Sequence, residues 1–259
     1  MSHIPFVAID VSNMQTVIGL FCGERLQHTW RLETDTNRTA DEYSVIVRSF
    51  LVHAQSPAPE AVAVASSVPA MVPIVEALSE EVFGCKPLVV GPGVRTGMPI
   101  LYDKPQEVGP DRIVNAIAAY SRTHTTTIVV DLSTATIFDY ISARGEYVGG
   151  VIAPGLGIAA DALFERAARL YRVELRRPPQ VIGRNTVHAI QSGLVYGYVA
   201  LVDGIVERIC HETGEAPRVI ATGTYAELIA PHSSTIHEVD EHLTLKGLRI
   251  LYERNREKR

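Results

Sequence analysis

The chain has 259 residues, 46% of them hydrophobic and 20% charged, with a formal net charge of −5. That is ample for a real core and favours two domains over one. The mildly acidic balance argues against nucleic-acid binding and against docking on anionic membranes.

In chain order, Phe6 to Leu20 reads as a hairpin of two β-strands around a polar corner. Thr39 to Ala54 reads as a helix with Thr39 as cap and Glu42 at capping-box spacing. "AVAVASSVP" is a buried strand ending in a turn, a helix follows through Ile74, Leu78 and Val82, and "PLVV" is the next strand. The twenty residues "GPGVRTGMPILYDKPQEVGP" hold four glycines and four prolines. A loop of that length is either functional or disordered, and the apolar residues within it favour order. A helix opens near Asp111 and runs through Ile113, Ile117 and Tyr120. "TTIVVDLS" and "TATIFDYIS" form a second hairpin, and "GEYVGGVIAPGLG" is a strand with a glycine-rich corner.

Ile158 to Leu170 is helical by spacing. Thr186 to His211 is a long helix with a broad apolar stripe, and Gly193, Gly197 and Gly204 would admit a close neighbour. "RVIATGTYAELIA" reads as strand, turn, helix, and Leu245 to Glu257 as a closing helix whose basic end partners the helix dipole. Cys22, Cys85 and Cys210 are scattered, without metal-knuckle or redox spacing, which suggests a reduced cytoplasmic protein. No apolar run is expected to span a bilayer, and Asp10 interrupts the first apolar stretch, against a signal peptide.

The two hairpins repeat each other. Asp10, Ser12 and Asn13 align with Asp131, Ser133 and Thr134 at an offset of 121 residues, close to half the chain. A repeat of that period suggests two related α/β domains with a ligand cleft between them. Strand corners of this kind can aim backbone N–H groups at phosphates, and a carboxylate at a strand end can hold a hydrated cation. Each aspartate could equally close an ordinary Asx turn.

Five stretches in order carry a resemblance over almost the whole chain: "DVSNMQTVIGLF", "PGVRTGMPILYDKPQEVGPDRIVNAIAAY", "DLSTATIFDYISARGEYVGGVIAPG", "GRNTVHAIQSGLVYGYVALVDGIVERI" and "VIATG". With them the chain resembles the type III pantothenate kinases, within the superfamily of acetate and sugar kinases, heat-shock chaperone ATPase domains and actin. The resemblance implies an α/β fold of two duplicated actin-like ATPase (ribonuclease H-like) domains, here residues 1–120 and 121–259, with the final helix from about 244 packing back on the first. It implies ATP-dependent phosphorylation of pantothenate at its primary hydroxyl, the first step of coenzyme A synthesis, with Mg²⁺ and a monovalent cation, K⁺ or NH₄⁺. It also implies a cytoplasmic homodimer joined through the long helix (187–211), with no nucleic-acid or membrane partner.

Residue by residue, the resemblance makes Asp111 the catalytic base. Tyr102, Gly109, Pro110 and Arg112 would line the pantothenate pocket, and Thr186 would reach the partner subunit's pocket. Asp10, Ser12, Asn13, Gln15, Thr16, Ser133, Thr134 and Gly223 would meet ATP. Asp10 would hold Mg²⁺ through water, and Asp131 the monovalent cation.

The residue chemistry is compatible. Phosphoryl transfer needs mainly positioning and charge neutralisation, with a base in reach of the hydroxyl. Asp111 at a helix start would be favoured in its ionised form by the dipole; it could also be a plain helix cap. Arg112 in a first helical turn faces the dipole the wrong way, which makes sense if it binds the carboxylate of pantothenate, or if it pairs with a nearby acid.

The chain departs from the family pattern on the nucleotide side. Ser12 and Ser133 stand where glycine is usual, Met14 and Gln15 where Thr and Asn are usual, and Thr224 where a second glycine follows "ATG". A serine there adds a Cβ to a turn built for close approach and a hydroxyl that can bind a phosphate or cation. Three functions follow: an active pantothenate kinase with an altered nucleotide site, a non-catalytic ligand-binding regulator, or a kinase for another small hydroxy acid.

Overall fold

The computed structural model describes residues 5–56, 58–167 and 170–256. In chain order the elements are β1 (Pro5–Val11), β2 (Gln15–Cys22), β3 (Arg25–Glu33), α1 (Ala40–His53), β4 (Ala61–Ser66), α2 (Val72–Phe83), β5 (Leu88–Val89) and α3 (Pro110–Thr123). Then come β6 (Thr127–Leu132), β7 (Ala135–Ile141), β8 (Tyr147–Pro154), α4 (Leu156–Arg166), α5 (Thr186–Thr213), β9 (Arg218–Thr222), α6 (Ala226–Ile229), β10 (Glu238–Val239) and α7 (Leu243–Arg256). Two compact units result: 5–98 with 103–118 and 243–256, and 99–102 with 119–242.

The duplication is visible in the sheets. The first unit's sheet runs β3-β2-β1-β4-β5 and the second's β8-β7-β6-β9-β10, the same order element for element. In each, the central strand pairs antiparallel with its hairpin partner and parallel with the strand on its other side. A strand in that place is covered on both faces, so β1 and β6 are nearly continuous apolar runs. Val7, Ala8 and Ile9 are all buried, as are Ile128, Val129 and Val130.

In the first unit, α1 opens with the expected capping box: Thr39 accepts from the Glu42 N–H, and the Glu42 carboxylate accepts from the Thr39 N–H at 2.8 Å. α7 packs on β1 and β4, with Tyr252 stacked on Phe6 at 4.9 Å between ring centres. In the second unit, α5 lays Ile190, Leu194, Val195, Val199, Val202 and Val206 into the core formed with Ile128, Val130, Leu132 and Phe138.

Several sequence expectations change. β3 was not anticipated: "RLQHTWRLE" is an edge strand with mostly solvated positions, so its apolar signal is weak. The two-residue β10 was also missed. α4 begins at Leu156 and ends at Arg166, short of Leu170; Ala168 and Arg169 lie outside the described residues. α7 starts at Leu243, and Glu257, expected as its end, likewise lies outside. Contrary to the expectation of no bilayer-length apolar segment, α5 is long and apolar enough to cross a membrane by length and composition. Half of its most apolar window is buried inside the protein, as in a core helix.

Candidate active site

The Asp10 corner belongs to the first unit. β1 and β2 pair through Asp10 with Val17 and Val11 with Thr16, leaving residues 12–15 to make the turn. Ser12 closes it: its N–H and its hydroxyl both donate to the Gln15 carbonyl, at 3.0 and 2.9 Å. Asn13 and Met14 are exposed at the tip. Thr16 is buried, its hydroxyl 2.9 Å from that of Thr34. Of the residues expected to meet ATP here, Thr16 is therefore turned into the sheet, while Ser12, Asn13 and Gln15 stay at the rim. Met14 and Gln15, with Arg31, Leu32 and Glu33, line a cavity of about 210 Å³.

The corresponding corner of the second unit is one residue tighter. Asp131 pairs with Ile137 and Leu132 with Thr136, leaving residues 133–135 for the turn. Ser133 donates its N–H to the Ala135 carbonyl at 3.1 Å and its hydroxyl to Asp131 Oδ1 at 2.5 Å. The two repeat serines thus do different work: Ser12 bonds backbone, Ser133 the carboxylate.

Two glycines complete this corner. Gly223, just after β9, has φ +93, and a Cβ there would lie 2.5 Å from both Asp131 Oδ1 and Ser133 Oγ. Gly155, the residue before α4, would put a Cβ 2.1 Å from the Thr134 carbonyl oxygen and 2.5 Å from that of Ser133. Asp131, Ser133 and Gly223 are therefore brought together, and the Ser133 and Thr134 carbonyl oxygens face Gly155. Gly155 belongs to this corner but was not singled out in the sequence, where its only signal is the glycine-rich corner after β8. Tyr225, whose hydroxyl reaches within 2.7 Å of where a Gly157 Cβ would stand, was not singled out either. Its N–H donates to the Leu132 carbonyl at 2.9 Å.

Back in the first unit, "VGPDRI" forms the entry to α3. Pro110 is the first helical residue, where its missing N–H costs nothing, so Asp111 sits in the first turn and is not the cap. The backbone N–H groups of Arg112 and of Asp111 itself favour the charged form of its carboxylate. Gly109 leaves the carboxylate its room: a Cβ there would be 2.5 Å from Asp111 Oδ1.

Burial pushes the Asp111 carboxyl above its ordinary value, and the two N–H bonds and the Arg112 charge only partly offset that. The sequence argument expected the helix terminus to favour the ionised form; the terminus does so, but desolvation is the larger effect. Arg112 itself is 7% exposed and its charge acts on Asp111, so it is not the exposed surface arginine of the alternative reading. Nearby, buried Asn115 accepts from the Thr244 hydroxyl at 2.8 Å and ties α3 to α7.

Tyr102 belongs to the second unit, half-buried beside Tyr147. Thr186 is the exposed first residue of α5, and Asn185 caps that helix by accepting from the His188 N–H at 2.9 Å. Among the described residues no group of three or more His, Cys, Asp or Glu side chains is placed to hold a metal ion.

Comparison with known proteins agrees with this architecture. The inorganic polyphosphate/ATP-glucomannokinase of Arthrobacter sp. strain KM superposes with a TM-score of 0.51 over 97% of this chain and 99% of that one, at 14% identity. The fold is that of the two-domain actin-like ATPases and sugar kinases. The model of the type III pantothenate kinases matches residues 6–208. The type III pantothenate kinase of Myxococcus xanthus is 55% identical over 96% of this chain and 98% of its own length, and that of Anaeromyxobacter sp. (strain Fw109-5) is 57% identical over 96% and 99%. The chain belongs to the type III pantothenate kinase family.

Proposed function

We propose that this protein transfers the terminal phosphoryl group of ATP to the primary hydroxyl of pantothenate, forming 4′-phosphopantothenate at the entry to coenzyme A synthesis. One observation carries the site assignment: a carboxylate, Asp111, is held in the first turn of a buried helix, with Gly109 leaving it room and buried Arg112 beside it. Asp111 accepts the hydroxyl proton as oxygen attacks phosphorus, and Arg112, with Gly109, Pro110 and Tyr102, holds pantothenate by its carboxylate and its chain. A carboxylate whose affinity for a proton is raised by burial is a better base than a solvated one, provided it is ionised at working pH.

The Asp131 corner supplies the phosphate side. Gly223, Thr134 and Ser133 are assigned to ATP; the close approach of Gly223 to Asp131 and Ser133 leaves no room for a side chain there. Asp131 is the residue for the monovalent cation. Asp10 would hold Mg²⁺, a metal that takes few protein ligands. Mg²⁺, when bound, neutralises the charge on the transferring phosphoryl group. Ser12, Asn13 and Gln15 are assigned to the phosphates as a segment, and Thr16, whose hydroxyl pairs with that of Thr34, supports the turn from β2. A cytoplasmic homodimer through α5, in which Thr186 reaches the partner's pantothenate site, completes the reading; the exposed position of Thr186 supports it. The division into two related domains is supported by the repeated sheet order.

The Ser133 bond to Asp131 favours a second reading, a non-catalytic member that binds pantothenate and regulates or recruits, because it occupies an oxygen the cation would need. The test is direct detection of phosphopantothenate by mass spectrometry, with saturating pantothenate, Mg²⁺, K⁺ and millimolar ATP, then other nucleoside triphosphates. Asp111→Asn serves as control. Product that disappears in the control supports the kinase. No product with any donor, while calorimetry still registers pantothenate binding, moves the assignment to the non-catalytic reading.

A further inference from the structure

The second unit contains a buried polar pair that the reaction does not use. Asp139 on β7 is 1% exposed and Tyr147, the first residue of β8, is 0% exposed. The Tyr147 hydroxyl donates to Asp139 Oδ1 at 2.6 Å. Burying a carboxylate costs free energy that its hydrogen bonds must offset. Such a pair is best explained by what it holds in place.

Tyr147 holds the segment 99–102. Its N–H donates to the Pro99 carbonyl at 2.9 Å, and its carbonyl accepts from the Leu101 N–H at 2.8 Å. Together these form a single parallel bridge between Ile100 and Tyr147 on the rim of the sheet. The segment ends at Tyr102, whose ring lies 6.4 Å from that of Tyr147 at a 59° tilt. The same ring rests over Gly149, where a Cβ would stand 3.9 Å from Cδ2 and Cε2. The ladder has a register shift between Tyr140 and Ile141, opposite this stretch of β8, so backbone pairing alone is irregular there. A side-chain anchor compensates.

We propose that Asp139 and Tyr147 are positioning residues for the substrate-binding segment 99–102. The Asp139 carboxylate fixes Tyr147, and Tyr147 fixes Tyr102 through one backbone bridge and one ring contact. The consequence for pantothenate rests on the kinase reading above; the mechanical coupling does not.

The experiment compares the full-length wild type with Tyr147→Phe, Asp139→Leu and the conservative Asp139→Asn, which keeps an acceptor for the phenol. Amide hydrogen exchange reads the coupling. In Tyr147→Phe and Asp139→Leu, the peptide covering 99–103 should exchange at least about threefold faster, while peptides from β6 and β9 stay at wild-type protection. Asp139→Asn should stay near wild type. In steady-state assays the first two variants should raise the pantothenate KM about tenfold, leaving the ATP KM within about twofold of wild type. A merely structural role would move both constants or neither.

Unchanged exchange at 99–103 in Tyr147→Phe overturns the proposal, and that variant decides alone if Asp139→Leu does not fold. Equal increases in both KM values also overturn it. If the wild type neither binds nor phosphorylates pantothenate, the kinase reading fails, while the exchange comparison still decides whether Asp139 and Tyr147 hold the segment.

Discussion

Gly109 and Asp111 share one space: the position a Cβ would take on Gly109 lies 2.5 Å from Asp111 Oδ1. The Gly109 backbone is not in the left-handed region, so alanine is allowed there by conformation and excluded by the carboxylate alone. Gly109→Ala should therefore push Asp111 aside without unfolding the helix. The expected result is a fall in kcat of about a hundredfold, the scale of a 1 Å misplacement, with a melting temperature within a few degrees of wild type. Phosphopantothenate formation alongside thermal denaturation measures both.

Asp111 should be a stability cost at neutral pH. Its folded-state carboxyl lies above the ordinary value because burial disfavours the charge. A raised carboxylate contributes stability that is full below the unfolded value, near about 4, and is lost as pH rises through the folded value. Asp111→Asn should therefore melt at a higher temperature than wild type at pH 7, and the difference should shrink as pH falls toward 4. The same substitution should reduce turnover by about 10² to 10⁴ while pantothenate still binds. Activity of the wild type should fall on the acid side at a pH above that of an ordinary aspartate.

At the second corner, Ser133→Gly removes the hydroxyl that donates to Asp131 Oδ1. That oxygen then becomes available to a cation. One hydrogen bond of ordinary strength corresponds to about two- to tenfold in affinity, so the K⁺ concentration for half-maximal activity should fall by that factor. An unchanged or higher K⁺ requirement would remove Asp131 from the cation site.

Gly223 and Gly214 separate space from backbone strain. Both have positive φ, +93 and +69, but a Cβ on Gly214 meets nothing within 4 Å whereas one on Gly223 strikes Asp131 and Ser133. Gly214→Ala should cost only the left-handed penalty of about 1–2 kcal/mol, read in denaturant melts, with ATP kinetics unchanged. Gly223→Ala should cost more than that and also raise the ATP KM. Equal effects of the two on ATP kinetics would place Gly223 away from the nucleotide.

The candidate site was legible where it is local. The Asp10 and Asp131 corners, the "GPD" entry to α3 and the Thr39 capping box are each written within a few residues, because hairpin turns and helix starts are decided by neighbours in sequence. The resemblance then supplied roles that spacing alone could not. What stayed hidden depended on residues far apart in the chain. Thr16 looked available until Thr34 took its hydroxyl. Asp139 and Tyr147 gave no signal, because a buried polar pair is written as two ordinary strand residues.

By itself, then, the sequence determined the duplication, most of the strand and helix pattern and the places of the Asp10, Asp111 and Asp131 carboxylates at strand corners and a helix start. These follow from periodicity and short turns, which a local window of the chain carries; the roles proposed for those carboxylates came from the resemblance. Only the tertiary structure decided the state of those carboxylates. Burial outweighing the helix terminus at Asp111, the Ser133 hydroxyl on Asp131 and the anchoring of 99–102 through Tyr147 all arise from packing between distant segments. Desolvation and hydrogen-bond partnership are properties of that packing, and no local stretch of residues contains them.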